Sequence, residues 1–79
     1  MQNQPMPGAV YRHYKGKEYK IIGIGYNTET LEKVVIYQAL YHSEEFGDQT
    51  LWVRPLNMFQ ETVVIDGEQQ LRFTPVSSR

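Results

Sequence analysis

Residues 33–41 read Lys-Val-Val-Ile-Tyr-Gln-Ala-Leu-Tyr (KVVIYQALY). β-Branched and aromatic side chains dominate the stretch, and these fit a pleated, half-buried surface. In an extended strand Val35, Tyr37, Ala39 and Tyr41 share one face, while Val34, Ile36 and Leu40 share the other with Gln38. A strand apolar on both faces lies centrally, or has one face covered by a helix, a second subunit or a ligand. This segment makes the chain a β protein.

Working towards the N-terminus, residues 27–32 (NTETLE) form a polar turn and residues 18–26 (EYKIIGIGY) a second strand. Strict alternation puts Ile22, Ile24 and Tyr26 on one face, and Tyr19 and Ile21 on the other with Gly23 and Gly25. Two glycines on one face point to a bulge, a bend or a close backbone approach. Lys15-Gly16-Lys17 is a tight turn that joins a first strand at residues 9–14. Towards the C-terminus, residues 42–48 (HSEEFGD) are an acidic loop and residues 50–54 (TLWVR) a short strand ended by Pro55. Leu56, Phe59 and Val63 recur at helical spacing, so a short helix is expected to start at Pro55. Residues 62–65 and 69–73 form a hairpin about Asp66-Gly67. The apolar pattern favours a three-residue loop, which sets Val63 opposite Leu71. The expected fold is mainly β: a small SH3-like curved antiparallel sheet or barrel of five to six short strands, with one short helix after Pro55. An open α+β sheet covered by that helix is the alternative.

The 79 residues suffice for one domain, placed at residues 8–76 between tails at 1–7 and 77–79. The chain has no cysteine, which excludes a disulfide scaffold, a zinc ribbon and a cysteine nucleophile. A reducing, cytoplasmic setting follows as the default. No apolar run approaches the roughly 20 residues of a membrane span, and the N-terminus has no signal-peptide pattern, so no membrane partner is expected. The net charge of −1 hides an asymmetry. Arg12, Lys15, Lys17 and Lys20 stand against Glu18 between residues 11 and 26, whereas residues 27–79 are acidic in balance.

Catalytic and phosphate-binding signatures are absent: no GxSxG, P-loop, GxGxxG or HExxH occurs. His13 and His42 lie on different segments without local partners, and the acidic loop lacks calcium-ligand spacing. No catalytic residue, metal or cofactor is therefore expected. Ala39-Leu40-Tyr41 resembles the ALYDY signature of signalling SH3 domains, but there the motif opens the domain and here it closes a central strand.

Three constellations carry the remaining chemistry. The first is Tyr11, Arg12, His13, Tyr14, Lys15 and Gly16. The second is Thr28, Glu29 and Thr30 beside Tyr37 and Tyr41. The third is Trp52, Val53, Arg54 and Pro55 with Met58 and Phe59. Aromatics beside an arginine and a glutamate can line a pocket for a flat or anionic group. The structural alternative is a core role for Trp52 and Phe59 and an ion pair of Arg54 with Glu29 or Glu61.

On these constellations the chain resembles a family of small bacterial proteins of unknown function. The matching stretches are YRHYKG (11–16), ETLE (29–32), VVIYQALY (34–41), LWVRP (51–55) with Met58 and Phe59, and LRF (71–73). The resemblance implies one compact domain of SH3-like or related small β fold, and brings no activity. Where the family reads histidine-serine before Glu-Thr, this chain has Asn27-Thr28, which removes an imidazole and lowers an enzymatic reading.

The leading expectation is a non-catalytic module that binds a small molecule or peptide. Its ligand-binding residues would be Arg12, His13, Tyr14, Thr28, Glu29, Tyr37, Tyr41, Trp52 and Arg54, with Arg12, Tyr14, Tyr37, Trp52 and Arg54 on one docking face. A homodimer that completes the core of the doubly apolar strand is a second expectation. A third is single-stranded nucleic acid on the Tyr-Lys strip 11–26, contacted by Lys15, Lys17 and Lys20. A hydrolase or isomerase pairing His13 with Glu29 is a fourth.

Overall fold

The computed structural model describes residues 4–76. They form β1 (Val10–His13), β2 (Glu18–Tyr26), β3 (Lys33–Ala39), β4 (His42–Ser43), β5 (Gly47–Asp48), β6 (Leu51–Pro55), α1 (Leu56–Phe59), β7 (Thr62–Ile65), β8 (Glu68–Leu71) and β9 (Phe73–Pro75). Five strands make one antiparallel sheet in the order β6-β3-β2-β1-β9. The sheet is open, with β6 and β9 as its edges; β4-β5 and β7-β8 are separate hairpins. The expected mainly β, antiparallel class with one short helix directly after Pro55 is the observed one. Pro55 sits one position before the helix, as its N-cap.

The doubly apolar strand β3 lies between β2 and β6. Val35, Tyr37 and Ala39 are buried on one face, and Val34, Ile36 and Gln38 are half-buried on the other. Strict alternation fails in β2. Ile21 pairs with Tyr37 and Ile24 with Val35, so the ladder slips by one residue between Ile21 and Gly23. This bulge returns Ile24 to the core face, where it packs on the buried cluster, and leaves Ile22 exposed. Gly25 sits where a Cβ would stand 3.3 Å from Ile36 Cδ1. The paired glycines therefore mark both a bulge and a close approach.

The core is an aromatic stack. Phe59, delivered by the single helical turn, lies parallel to Phe73 of β9 at 4.1 Å. Tyr11 and Tyr37 meet Phe59 edge-on at 5.4 Å each. His13, Tyr37 and Tyr19 meet Phe73 edge-on at 5.0, 5.5 and 5.9 Å. These are the offset geometries that ring quadrupoles favour. Tyr37, Phe59 and Phe73 are the ring-bearing members of the buried core, beside Ile21, Val35 and Ala39.

One expectation is corrected. The β7-β8 loop has two residues, not three: Ile65 pairs with Glu68 and Val63 with Gln70. Asp66 at φ 51° and Gly67 at φ 81° supply the two left-handed residues of a type I′ turn, whose twist matches the flanking strands. Turn chemistry overrides the apolar pattern because Val64 is exposed and the hairpin buries little. Of the expected tail 1–7, residues 1–3 lie outside the described residues, while Pro5 is buried and the Gly8 N–H donates to the Ile21 carbonyl at 2.8 Å. The expected C-terminal tail, 77–79, also lies outside the described residues.

Candidate functional site

Register decides which face each side chain takes. On β1, Tyr11 and His13 point to the core face and Arg12 to the outer face, opposite Glu18 and Thr74. On β6, Trp52 pairs with Tyr37 and Arg54 with Val35, both core-face residues. Arg12 and Arg54 therefore lie on opposite faces of the sheet, and the expected single docking face does not include Arg12. Its guanidinium instead pairs with Glu18 at 2.8 Å.

The core face brings together His13, Tyr37, Tyr41, Trp52 and Arg54. It adds Tyr19, Phe73 and Arg72, which the sequence reading did not assign to a ligand site. Arg54 Nε donates to the Tyr37 hydroxyl at 3.4 Å, and its guanidinium carbon lies 5.9 Å from the centre of the Phe73 ring. The Tyr19 and Tyr41 hydroxyls meet at 2.7 Å. Lys17 Nζ sits 4.7 Å from the centre of the Tyr41 ring. Arg54 pairs with neither Glu29 nor Glu61, contrary to the structural alternative. Glu61 is taken by Arg72 at 3.0 Å, which follows from the Arg72 N–H donating to the Glu61 carbonyl at the base of the β7-β8 hairpin.

The electrostatics follow from this packing. Burial pushes the Tyr19 phenol well above its ordinary value, helped by the hydroxyl bond to Tyr41. Burial also lowers the His13 pKa, and the cations of Arg72, Arg54 and Lys15 lower it further. The Lys15 N–H donates to His13 Nδ1 at 3.1 Å, so the neutral ring carries its proton on Nε2.

The remaining candidates lie elsewhere. Arg12 and Tyr14 line an open cleft of about 510 Å³, which His13 of the core-face patch also borders, with Gln70, Leu71 and Thr74 along the β9 edge. Thr28 and Glu29 sit in the β2-β3 turn, which Asn27 organises by accepting from the Glu29 and Thr30 N–H groups. Thr28 Oγ1 donates to the Glu29 carboxylate at 3.1 Å. His13 and Glu29 adjoin opposite ends of the nine-residue β2. At roughly 3.3 Å per residue they stand on the order of 25 Å apart, so the hydrolase or isomerase pair is not assembled.

The Tyr-Lys strip is divided as well. Tyr11 and Tyr19 face the core and Lys20 the outer face, while Lys15 and Lys17 flank the turn at Gly16. Tyr11 and Tyr19 are thus committed to ring contacts inside the protein and do not form an exposed stacking platform.

The molecule is thus a small, open, antiparallel β domain with an aromatic and cationic patch on its helix-covered face. The chain belongs to the DUF1653 family, proteins of unknown function, whose family model matches residues 9–75. A crystal structure of a DUF1653 protein from Bordetella bronchiseptica is similar at 38% sequence identity and a TM-score of 0.77, covering 90% of this chain and 86% of that one. No curated protein matches the chain.

Proposed function

We propose that the domain is a non-catalytic binding module that uses the core-face patch of His13, Tyr37, Tyr41, Trp52 and Arg54 to hold a small molecule or peptide. One observation carries the reading. Arg54 is half-buried, yet among the described residues its side chain meets a phenol and a ring face and no carboxylate. Its remaining N–H donors are not among the buried unpartnered atoms, so they stay open to an acceptor that arrives from outside. The reading includes a cytoplasmic setting, for which the cysteine-free composition is the support. No helix among the described residues is long and apolar enough to cross a membrane.

The test is a two-dimensional 15N NMR screen with planar small molecules and short peptides. Saturable shifts confined to β3, β6 and Phe73 support the module. Shifts that map only to the outer face or to the β2-β3 turn defeat it.

A second reading, self-association, is favoured by the β6 edge. Trp52 and Arg54 pair towards β3, so the backbone groups of Leu51 and Val53 face outward, and both side chains are exposed. Antiparallel pairing of β6 with a second copy centred on Trp52 would satisfy those groups reciprocally. Light scattering at micromolar concentration decides it: a mass of about 9 kDa removes the dimer.

A further inference from the structure

Every unpartnered polar group on the core-face patch is a donor. Arg54 has one phenol oxygen at 3.4 Å for its whole guanidinium. Arg72 gives one N–H to Glu61, and its Nε is buried with no acceptor. Trp52 Nε1, two residues from Arg54 on the same face of β6, is also buried with no acceptor. His13 uses Nδ1 as an acceptor, which leaves Nε2–H as a donor with no acceptor among the described residues. Arg54 and His13 both lie against the Phe73 ring, at 5.9 and 5.0 Å, and Arg72 immediately precedes it in the chain. Lys17, 4.7 Å from the Tyr41 ring centre, adds a further cation at the margin. Of the carboxylates near these groups, Glu61 is already paired.

A surplus of donors and positive charge is complementary to a group that only accepts and carries negative charge. We propose that the ligand is a small oxyanion-bearing molecule whose carboxylate or phosphate docks on Arg54 and His13. This rests on the binding-module reading and narrows its ligand class. Arg54 is the main anchor, because a guanidinium fork matches two oxygens of either group. His13 Nε2–H is the second donor, available because the backbone of Lys15 fixes the tautomer.

The experiment uses the full chain, labelled with 15N, and follows the Arg54 Nε–H and His13 ring signals. Benzoate, inorganic phosphate and neutral benzamide are titrated at constant ionic strength, with sodium chloride as the reference. Saturable shifts with benzoate, with phosphate or with both support the proposal, and the probe that saturates first identifies carboxylate or phosphate as the source. Arg54→Gln should weaken that binding at least tenfold. Arg54→Lys should recover part of it, and Lys20→Gln on the outer face should leave it unchanged. Benzamide binding as tightly as benzoate overturns the oxyanion proposal while leaving a binding face intact. Shifts matched by chloride, or equal affinity in a folded Arg54→Gln protein, also overturn it.

Discussion

At the scale of single residues, Phe59 holds the most consequential position. It stacks on Phe73 and is met edge-on by Tyr11 and Tyr37, so Phe59→Ala removes a ring that three others lean on. The expected loss is about 3–5 kcal/mol, read as a fall in the urea midpoint, and a loss below 1 kcal/mol would contradict the stacked core. Two titrating groups give pH signatures of opposite sense. The fold favours neutral His13, so its contribution is present above about pH 6.5 and is lost as pH falls below that value. Urea midpoints between pH 8 and 5 should show this decline, and His13→Gln should flatten it. Tyr19 is favoured as the neutral phenol, so its contribution is present below about pH 10 and is lost as pH rises beyond. Tyr41→Phe removes one cause of that shift and should make the alkaline loss shallower. The two arginines show why residue type alone did not assign the site. Arg12 has Glu18 across the ladder and is neutralised, whereas Arg54 has Val35 across its ladder and is not.

At the scale of elements, turns and irregularities set the register that apolar patterns only approximate. The Asp66-Gly67 turn needs two residues at positive φ. No atom stands within 4 Å of a Cβ added at Gly67, so Gly67→Ala should cost about 1–2 kcal/mol through backbone strain alone. Thermal melts should show the loss, and Asp66→Asn, which suits the same turn, should leave the melting temperature nearly unchanged. The β2 bulge was legible in outline from its paired glycines. Its consequence was not, because a one-residue slip changes the face of every side chain that follows. Deleting Ile22, the extra residue, should leave Ile24 opposite Val35 by strict alternation and preserve cooperative unfolding in urea, and Ile22→Thr at this exposed position should be tolerated within about 0.5 kcal/mol.

At the scale of the whole molecule, the sheet is open and its β6 edge carries no charge on the outer face, where Leu51 and Val53 are exposed. Such an edge is a template for pairing. Val53→Lys should leave monomer stability within about 0.5 kcal/mol, and it should abolish any concentration dependence of the melting temperature if second copies pair there. By itself the sequence determined the β class, the limits of β2, the short helix after Pro55 and the central place of residues 33–39. Those features are local, written in alternation, glycine placement and the missing N–H of proline. It also marked Tyr37, Tyr41, Trp52, Arg54 and His13 as chemically distinctive. Only the tertiary structure decided that these five share a face, that Arg12, Thr28 and Glu29 do not join them, and that Tyr19, Phe73 and Arg72 complete the patch. The reason is that β9 closes onto β1 from the far end of the chain, and α1 brings Phe59 onto the same surface. Which charges end as neighbours depends on long-range pairing and on a bulge one residue long, and local periodicity carries no record of either.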